Sequence, residues 1–347
     1  MNLTRDHLTV LLNAYYADDD VRSITVSHPS DEIGELLRID LGDHDDTTVR
    51  FTTGPLSYET ALEDVERAHG PDVAADLPDE GHYVRALAGA GLLPFENASD
   101  VAELVDRHGY RDLAAGHHPL FVGFDTNLLP WYPESLLAIE PWRRDDADRP
   151  PVDGFALASG VKSELDFHYR NPATSRLPAA FGAEYERVEG QPVSDNRQGI
   201  LGLYEYRRLM AERRVEEVRS DTGDEAIVDA YDEFRERNRQ ELLLFSNDHG
   251  FVDRARDRGL RSSHVSFPID TPRKTTVGWS EIERALYLLT VVFGVLELPK
   301  VTLYGVWPEK DGQDWQREQL YIDSRSPTYR EGLERRTAIV NAYEQST

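Results

Sequence analysis

Apolar and polar positions alternate with a rhythm that changes along the chain. Leu3, Leu8, Leu11, Leu12 and Tyr15 recur at helical spacing, which predicts an opening helix over 3–17. Short apolar runs over 23–27, 35–41 and 48–52 follow, separated by Asp-, Gly- and Ser-rich turns, the signature of an antiparallel meander. Helical spacing returns over 58–69, 81–90 and 99–108, the last with Ser99 as its expected cap and Glu103 in an acidic first turn. Strands first and helices after make residues 1–115 an α+β domain without an evident chemical motif.

A new pattern begins after Gly116-His117-His118-Pro119. Residues 120–124 are apolar and rich in large side chains, as in a strand buried on both faces, and they run straight into Asp125. Next come a strand over 155–159, a helix from Gly160 that carries Glu164, and helices over 200–218 and 225–237. A strand over 242–245, a helix over 251–258 closed by Gly259, and a strand over 263–267 complete the series. This alternation predicts an α/β domain over 116–270, a central parallel sheet flanked by helices. Polar, Pro-containing loops over 143–151 and 170–192 interrupt it. The tail, 271–347, reads as a helix over 279–295 and a hairpin of 301–306 with 319–322. Pattern alone leaves open whether that hairpin completes the N-terminal sheet.

Composition changes the picture in three ways. The formal charge is −26, from 64 acidic and 38 basic residues, and the only lysines are Lys162, Lys274, Lys300 and Lys310. The acids are spread along the whole chain rather than gathered in a tail. This favours a salt-adapted surface, with charges screened within about 3 Å at 1 M salt, over an acidic segment aimed at basic partners. Net acidity therefore does not exclude a nucleic-acid substrate. The absence of Cys removes disulfides, thiolate catalysis and Cys-ligated zinc. The most apolar run, 285–298, is bracketed by Glu281, Glu283, Arg284 and Glu297, and no leader pattern opens the chain. A soluble cytoplasmic protein without a membrane partner is expected; a monomer and a homodimer are both compatible with the sequence.

The chemistry gathers at strand ends. In open α/β sheets ligands bind at the carboxyl ends of the strands, where Asp125 and Asp248 fall. Glu164 lies one turn into the helix after the second strand, and Asp224 opens the helix before the third. Clustered carboxylates repel one another unless a cation sits between them, and oxygen-only ligands suit Mg²⁺ or Mn²⁺. Two such ions about 4 Å apart would serve hydrolysis of a phosphodiester.

In this order, Phe-Asp-Thr-Asn-Leu-Leu at 124–129, Val-Lys-Ser-Glu-Leu at 161–165, Asp-Glu-Ala-Ile at 224–227 and Leu-Leu-Phe-Ser-Asn-Asp at 243–248 resemble the acidic motifs of PIN-domain nucleases. The resemblance covers 119–268 only. It implies a PIN-like fold, a Mg²⁺ or Mn²⁺ centre in which Asp125, Glu164, Asp224 and Asp248 bind metal and catalyse, and RNA ahead of DNA as substrate. Asn127 and Ser246 would orient these acids. Many members carry another acid where this chain has Gly250; Asp253 is either its substitute or a plain surface acid. The segments 130–150 and 170–199 are longer than in compact members.

Each residue also has a plainer role. Asp125 can cap a helix, Glu164 can be a surface acid, Asp224 can answer a helix dipole, and Asp248 can serve a turn. Arg254, Arg258 and Arg261 either grip a nucleic-acid backbone or form a solvated, acid-paired face. Trp131 and Tyr132 either stack on a base or pack against the inserted loop. The histidines show no metal-binding spacing, and no phosphate loop, nucleophile elbow or dinucleotide fingerprint is present. The expectation is a metal-dependent nuclease. The alternatives are an inactive PIN-like scaffold or nucleic-acid-binding module, and another Mg²⁺-dependent phosphohydrolase.

Overall fold

The computed structural model describes the chain except for residues 19, 20, 22, 141–148 and 345–347, so most of the expected loop over 143–151 lies outside the described residues. Its strands are β1 (Asn2–Thr4), β2 (Ile24–Ser27), β3 (Glu35–Asp40), β4 (Thr47–Phe51), β5 (Leu120–Phe124), β6 (Gly154–Ala158), β7 (Val215–Val218), β8 (Glu241–Ser246), β9 (Arg261–His264), β10 (Lys274–Val277), β11 (Val295–Leu298), β12 (Val301–Tyr304) and β13 (Gln319–Ser324). They build one sheet in each of two units. The first unit comprises Met1–Leu93, Pro172–Arg197 and Ile269–Thr347; the second comprises Pro94–Asn171 and Gln198–Pro268.

The first unit holds an antiparallel sheet in the order β1-β13-β12-β11-β2-β3-β4-β10. Both ends of the chain contribute to it, because β11 joins β2 through Glu297 opposite Ser27. Three differences from expectation bear on this sheet. The opening helix starts only at Leu8, because Asn2–Thr4 pairs with β13, Leu3 facing Leu320. The apolar run after residue 285 breaks at Gly294, φ +87°, and its end becomes β11; a run buried on every side carries no period to mark such a break. The edge strand β10, Lys-Thr-Thr-Val, is too short and polar to announce itself.

The second unit is a five-stranded, wholly parallel sheet in the order β7-β6-β5-β8-β9, flanked by helices. The chain steps outward from β5 to β6 to β7, then returns to lay β8 and β9 on the other side. The crevice between β5 and β8 is therefore the topological switch point, where ligands of open parallel sheets bind. All residues of β5 and β6 are buried, as are all but the first of β8. Phe121, Val122, Phe124, Phe155, Leu243 and Phe245 belong to the core they share.

Here too the structure corrects details. The helix expected over 200–218 ends at Glu212, and Val-Glu-Glu-Val is the edge strand β7, half polar because only one end of it is buried. The helix Ala98–His108 belongs to this unit, its Val101 and Val105 lying in the parallel-sheet core. Its N-cap is Asn97, not Ser99, and Asn97 does not cap. Its side chain instead donates to the carbonyl of His264 at 2.7 Å and accepts the Ser266 N–H at 2.9 Å, fastening the helix start to the end of β9.

Candidate active site

Register decides what stands beside Asp125. Phe124 pairs with Phe245, and the Asp125 N–H extends the ladder to the Phe245 carbonyl at 3.1 Å. The next residue of β8 is Ser246, whose hydroxyl donates to Asp125 Oδ2 at 2.7 Å. Asn127 Nδ2 donates to the same oxygen at 3.1 Å, and the Thr126 N–H reaches Oδ1 at 2.6 Å. Asp125 is only 3% exposed. Burial pushes its carboxyl up to about 7; the Ser246 and Thr126 bonds oppose this, while the charges of Asp224 and Glu164 add to it.

Glu164 reaches this place through an unusually close approach of two segments. β6 leads into the helix Ser159–Arg170, and the Ser159 hydroxyl donates to the Ser220 carbonyl at 3.1 Å and accepts the Ser220 N–H at 3.0 Å. The Gly160 N–H donates to Ser220 Oγ at 2.8 Å, and a Cβ on Gly160 would lie 2.1 Å from the Asp221 carbonyl oxygen. Only glycine fits. One turn later, Glu164 Oε1 accepts the Gly223 N–H at 2.8 Å, and its Oε2 accepts the Thr126 hydroxyl. Gly223 takes φ +94°, left-handed territory that favours glycine, and delivers the chain into the helix Asp224–Asn238. A line of hydrogen bonds thus runs from Asp125 through Thr126 and Glu164 to the residue before Asp224.

Asp248 joins from the other side. It caps the helix His249–Asp257 by accepting the Gly250 N–H at 2.6 Å, and its own N–H donates to Ser246 Oγ at 2.8 Å. The Ser246 hydroxyl therefore links Asp125 to Asp248. Beneath the site, the buried Tyr231 hydroxyl donates to the Phe124 carbonyl at 3.1 Å and accepts the Ala158 N–H at 3.2 Å, tying the ends of β5 and β6 together. A Cβ at Gly123 would stand 2.6 Å from Leu244 Cδ2 and 3.0 Å from the Tyr231 ring, so the small residue makes room for this tie.

Not every candidate converges. Asp224 Oδ2 is held by Arg254 Nη1 at 2.8 Å, in a pair partly open to solvent. Arg258 pairs with Asp229 and Arg261 with Glu241, so the expected basic grip is divided among three acids. Asp253 is an exposed acid whose nearest partner is Arg256 at 3.7 Å; no contact with the carboxylate network supports it as the substitute for the acid missing at Gly250. Trp131 and Tyr132 are buried, 1% and 7% exposed, and present no face on which a base could stack. Thr126, Gly160, Ser220, Gly223 and Tyr231 were not among the sequence candidates. Only Thr126, inside an acidic motif, carried a signal; the others work through tertiary approach.

All the acidic donors here are oxygens, the ligand type of hard divalent cations. Their spacing is not that of a ligand shell: among the described residues, no three carboxylates or imidazoles stand close enough to hold one metal ion. Comparison of the chain with family models, curated proteins and solved structures gives no match in any of the three. Among the described residues, no helix is long and apolar enough to cross a membrane.

Proposed function

We propose that the carboxyl edge of the parallel sheet is the centre of a PIN-like, divalent-metal-dependent nuclease acting on RNA ahead of DNA. One observation carries this: Asp125, Glu164, Asp248 and the start of the Asp224 helix hang on a continuous hydrogen-bonded network at the switch point between β5 and β8. RNA is preferred through the resemblance of the four acidic motifs. Asp125, Glu164, Asp224 and Asp248 would hold Mg²⁺ or Mn²⁺ through carboxylate oxygens. When bound, such ions activate a water and stabilise the leaving oxygen of an in-line phosphodiester cleavage.

The chain's own residues do the positioning. Ser246 and Asn127 fix one oxygen of Asp125, Thr126 fixes the other, and Gly223 and Thr126 fix Glu164. Ligands whose orientation is set in this way lose about 10–100-fold in metal affinity when a supporting partner is removed. Asp224, paired with Arg254 at 2.8 Å, would hold a cation only after leaving that arginine. The turn Asp125-Thr126-Asn127 lacks the second acid of an Asp-x-Asp nucleophile, which places a phosphohydrolase of that type behind the nuclease.

The Arg254–Asp224 pair and Gly250 favour a second reading, an inactive scaffold that binds nucleic acid without cutting it. Cleavage of RNA in molar KCl with Mn²⁺, measured for wild type, Asp125→Asn and Asp248→Asn, separates the two. Mn²⁺ binding is followed in parallel by electron paramagnetic resonance. The nuclease reading expects cleavage to fall at least ~100-fold and Mn²⁺ to bind more weakly in both variants. Undiminished cleavage in both would sink it, and RNA binding without cleavage by wild type would establish the scaffold.

A further inference from the structure

The antiparallel unit carries a cavity of about 650 Å³ between the carboxyl end of the helix Leu8–Tyr16 and the helix Pro327–Glu344. This falls within the size range of small-molecule sites. Ala14, Ala17 and Leu333 give it an apolar wall, which Tyr329 extends. Three charged residues line it, Asp18, Lys300 and Arg336. Two of them cancel: Lys300 Nζ donates to Asp18 and lies 5.6 Å from the centre of the Tyr329 ring. Arg336 has no such answer. It is half-buried and makes no hydrogen bond or ion pair among the described residues. The helical positions that could supply a partner, three and four residues away on either side, are Gly332, Leu333, Ile339 and Val340. On a chain with 64 acidic residues, this lining keeps a single net positive charge.

A second feature points the same way. Gly332 lies in the interior of the 18-residue helix, where glycine is among the poorest residues. Its backbone takes no positive φ, and a Cβ there would meet nothing within 4 Å. Neither conformation nor a close approach therefore requires glycine at this position. It lines the cavity one turn before Arg336, and long helical side chains lean back over the preceding turn. The missing side chain leaves room beside the guanidinium.

We infer that this cavity binds a small organic monocarboxylate, its carboxylate on Arg336 in the room left by Gly332 and its apolar body on Ala14, Ala17 and Leu333. A guanidinium fork matches the two oxygens of a carboxylate. One unpaired arginine balances one negative charge, which ranks a monocarboxylate ahead of a phosphate dianion. Charge contacts open to solvent are screened in molar salt, so the apolar body carries part of the affinity and separates the ligand from chloride or acetate. The inference uses neither the carboxylate edge of the parallel sheet nor a metal.

Isothermal titration of the full chain in molar KCl tests this with octanoate, its neutral amide, acetate and octyl phosphate. Octanoate should bind roughly tenfold more tightly than octanamide, through its charge, and than acetate, through its chain. Arg336→Gln removes the charge and keeps the wall, so it should weaken octanoate about tenfold and leave octanamide unchanged. Gly332→Leu fills the open space and should weaken octanoate and octanamide alike by about tenfold, while the urea midpoint holds or rises because leucine is the better helix residue. Tighter binding of octyl phosphate than of octanoate would overturn the choice of a monocarboxylate. The inference also fails if wild type binds no octanoate at millimolar concentration, or binds octanamide equally well. It fails too if either variant, folded by circular dichroism, binds octanoate like wild type.

Discussion

Gly160→Ala sets two physical effects of opposite sign against each other. By helix propensity alone, alanine in place of glycine gains up to about 1 kcal/mol. At this position the new Cβ would lie 2.1 Å from the Asp221 carbonyl oxygen, 2.9 Å from its carbon and 2.7 Å from Ser220 Oγ. The first two are backbone atoms, so relief requires the 220–223 segment to move away by about 1 Å, and overpacking of this kind costs about 1–3 kcal/mol. The same movement strains the Gly160 bond to Ser220 and the reciprocal Ser159–Ser220 pair, each worth about 1 kcal/mol. The clash wins, and a net loss of about 2–4 kcal/mol is expected.

The functional consequence follows from the same displacement. Gly223 moves with the segment, so Glu164 loses the N–H that orients it and Asp224 retreats from Asp125. Mn²⁺ affinity should fall about 10–100-fold, as it does when an outer-shell partner is lost. Urea unfolding in molar KCl reads the stability and paramagnetic resonance the Mn²⁺ binding. Lys162→Ala, an exposed change on the same helix, serves as control and should leave both unchanged. A Gly160→Ala protein as stable as wild type, with Mn²⁺ binding intact, would show that the close approach does not hold the acids together.

Two further perturbations extend the test. Arg254→Gln removes a half-exposed ion pair of the kind worth about 0–1 kcal/mol, so stability should hardly change, while Mn²⁺ affinity rises up to about fivefold; an unchanged or lower affinity would show that Arg254 does not compete for Asp224. Lys310 is half-buried, its ammonium group 3.9 Å and 4.9 Å from the ring centres of Trp315 and Trp307, and desolvation there lowers its pKa to about 7. Between pH 7 and 10 the unfolded chain therefore binds the extra proton, and the burial penalty, full below pH 7, is relieved as pH rises. Wild-type stability should gain on Lys310→Met across this window by up to ~1.4 kcal/mol per pH unit, read from urea midpoints; parallel curves would refute it.

How much of this was legible in sequence depended on the kind of signal. The alternation that announces a parallel sheet was readable because β5, β6 and β8 are built on apolar runs, and Asp125 and Asp248 were found because Asp125 follows such a run directly and Asp248 follows one after Ser246 and Asn247. β7 was missed because an edge strand buried at only one end, Val-Glu-Glu-Val, resembles the helix before it. β11 was missed for the opposite reason, since it continues a run that is apolar throughout. Ser246 beside Asp125 follows from parallel register once β5 and β8 are known to be neighbours. The fastening of Glu164 to Gly223 does not follow, because it depends on Gly160 meeting Asp221 across a turn some 60 residues away, and no local pattern encodes that meeting. The arginines illustrate the same limit: Arg254, Arg258 and Arg261 are close in sequence, yet each pairs with an acid distant in sequence, Asp224 and Asp229 on the helix Asp224–Asn238 and Glu241 on β8.

The choice between nuclease and scaffold narrows to how the acids are neutralised. Carboxylates gathered at one edge repel, and each must be compensated for the fold to tolerate them. A purely structural solution would bury its ion pair, as the same unit does with Glu134, whose carboxylate is 3% exposed and held by Arg213 at 2.6 Å and Arg208 at 3.1 Å. Breaking a pair of that kind costs about 3–5 kcal/mol, so it is not exchanged. At the candidate site, Arg254 is 51% and Asp224 36% exposed, and such a pair is worth at most about 1 kcal/mol. Glu164 and Asp248 are compensated by backbone N–H groups, which leave further lone pairs on each carboxylate free. The neutralisation at this edge is therefore weak where that around Glu134 is strong. A divalent cation offered to it competes with a solvent-exposed guanidinium rather than a buried one, which is why the metal-dependent reading stands ahead of the scaffold.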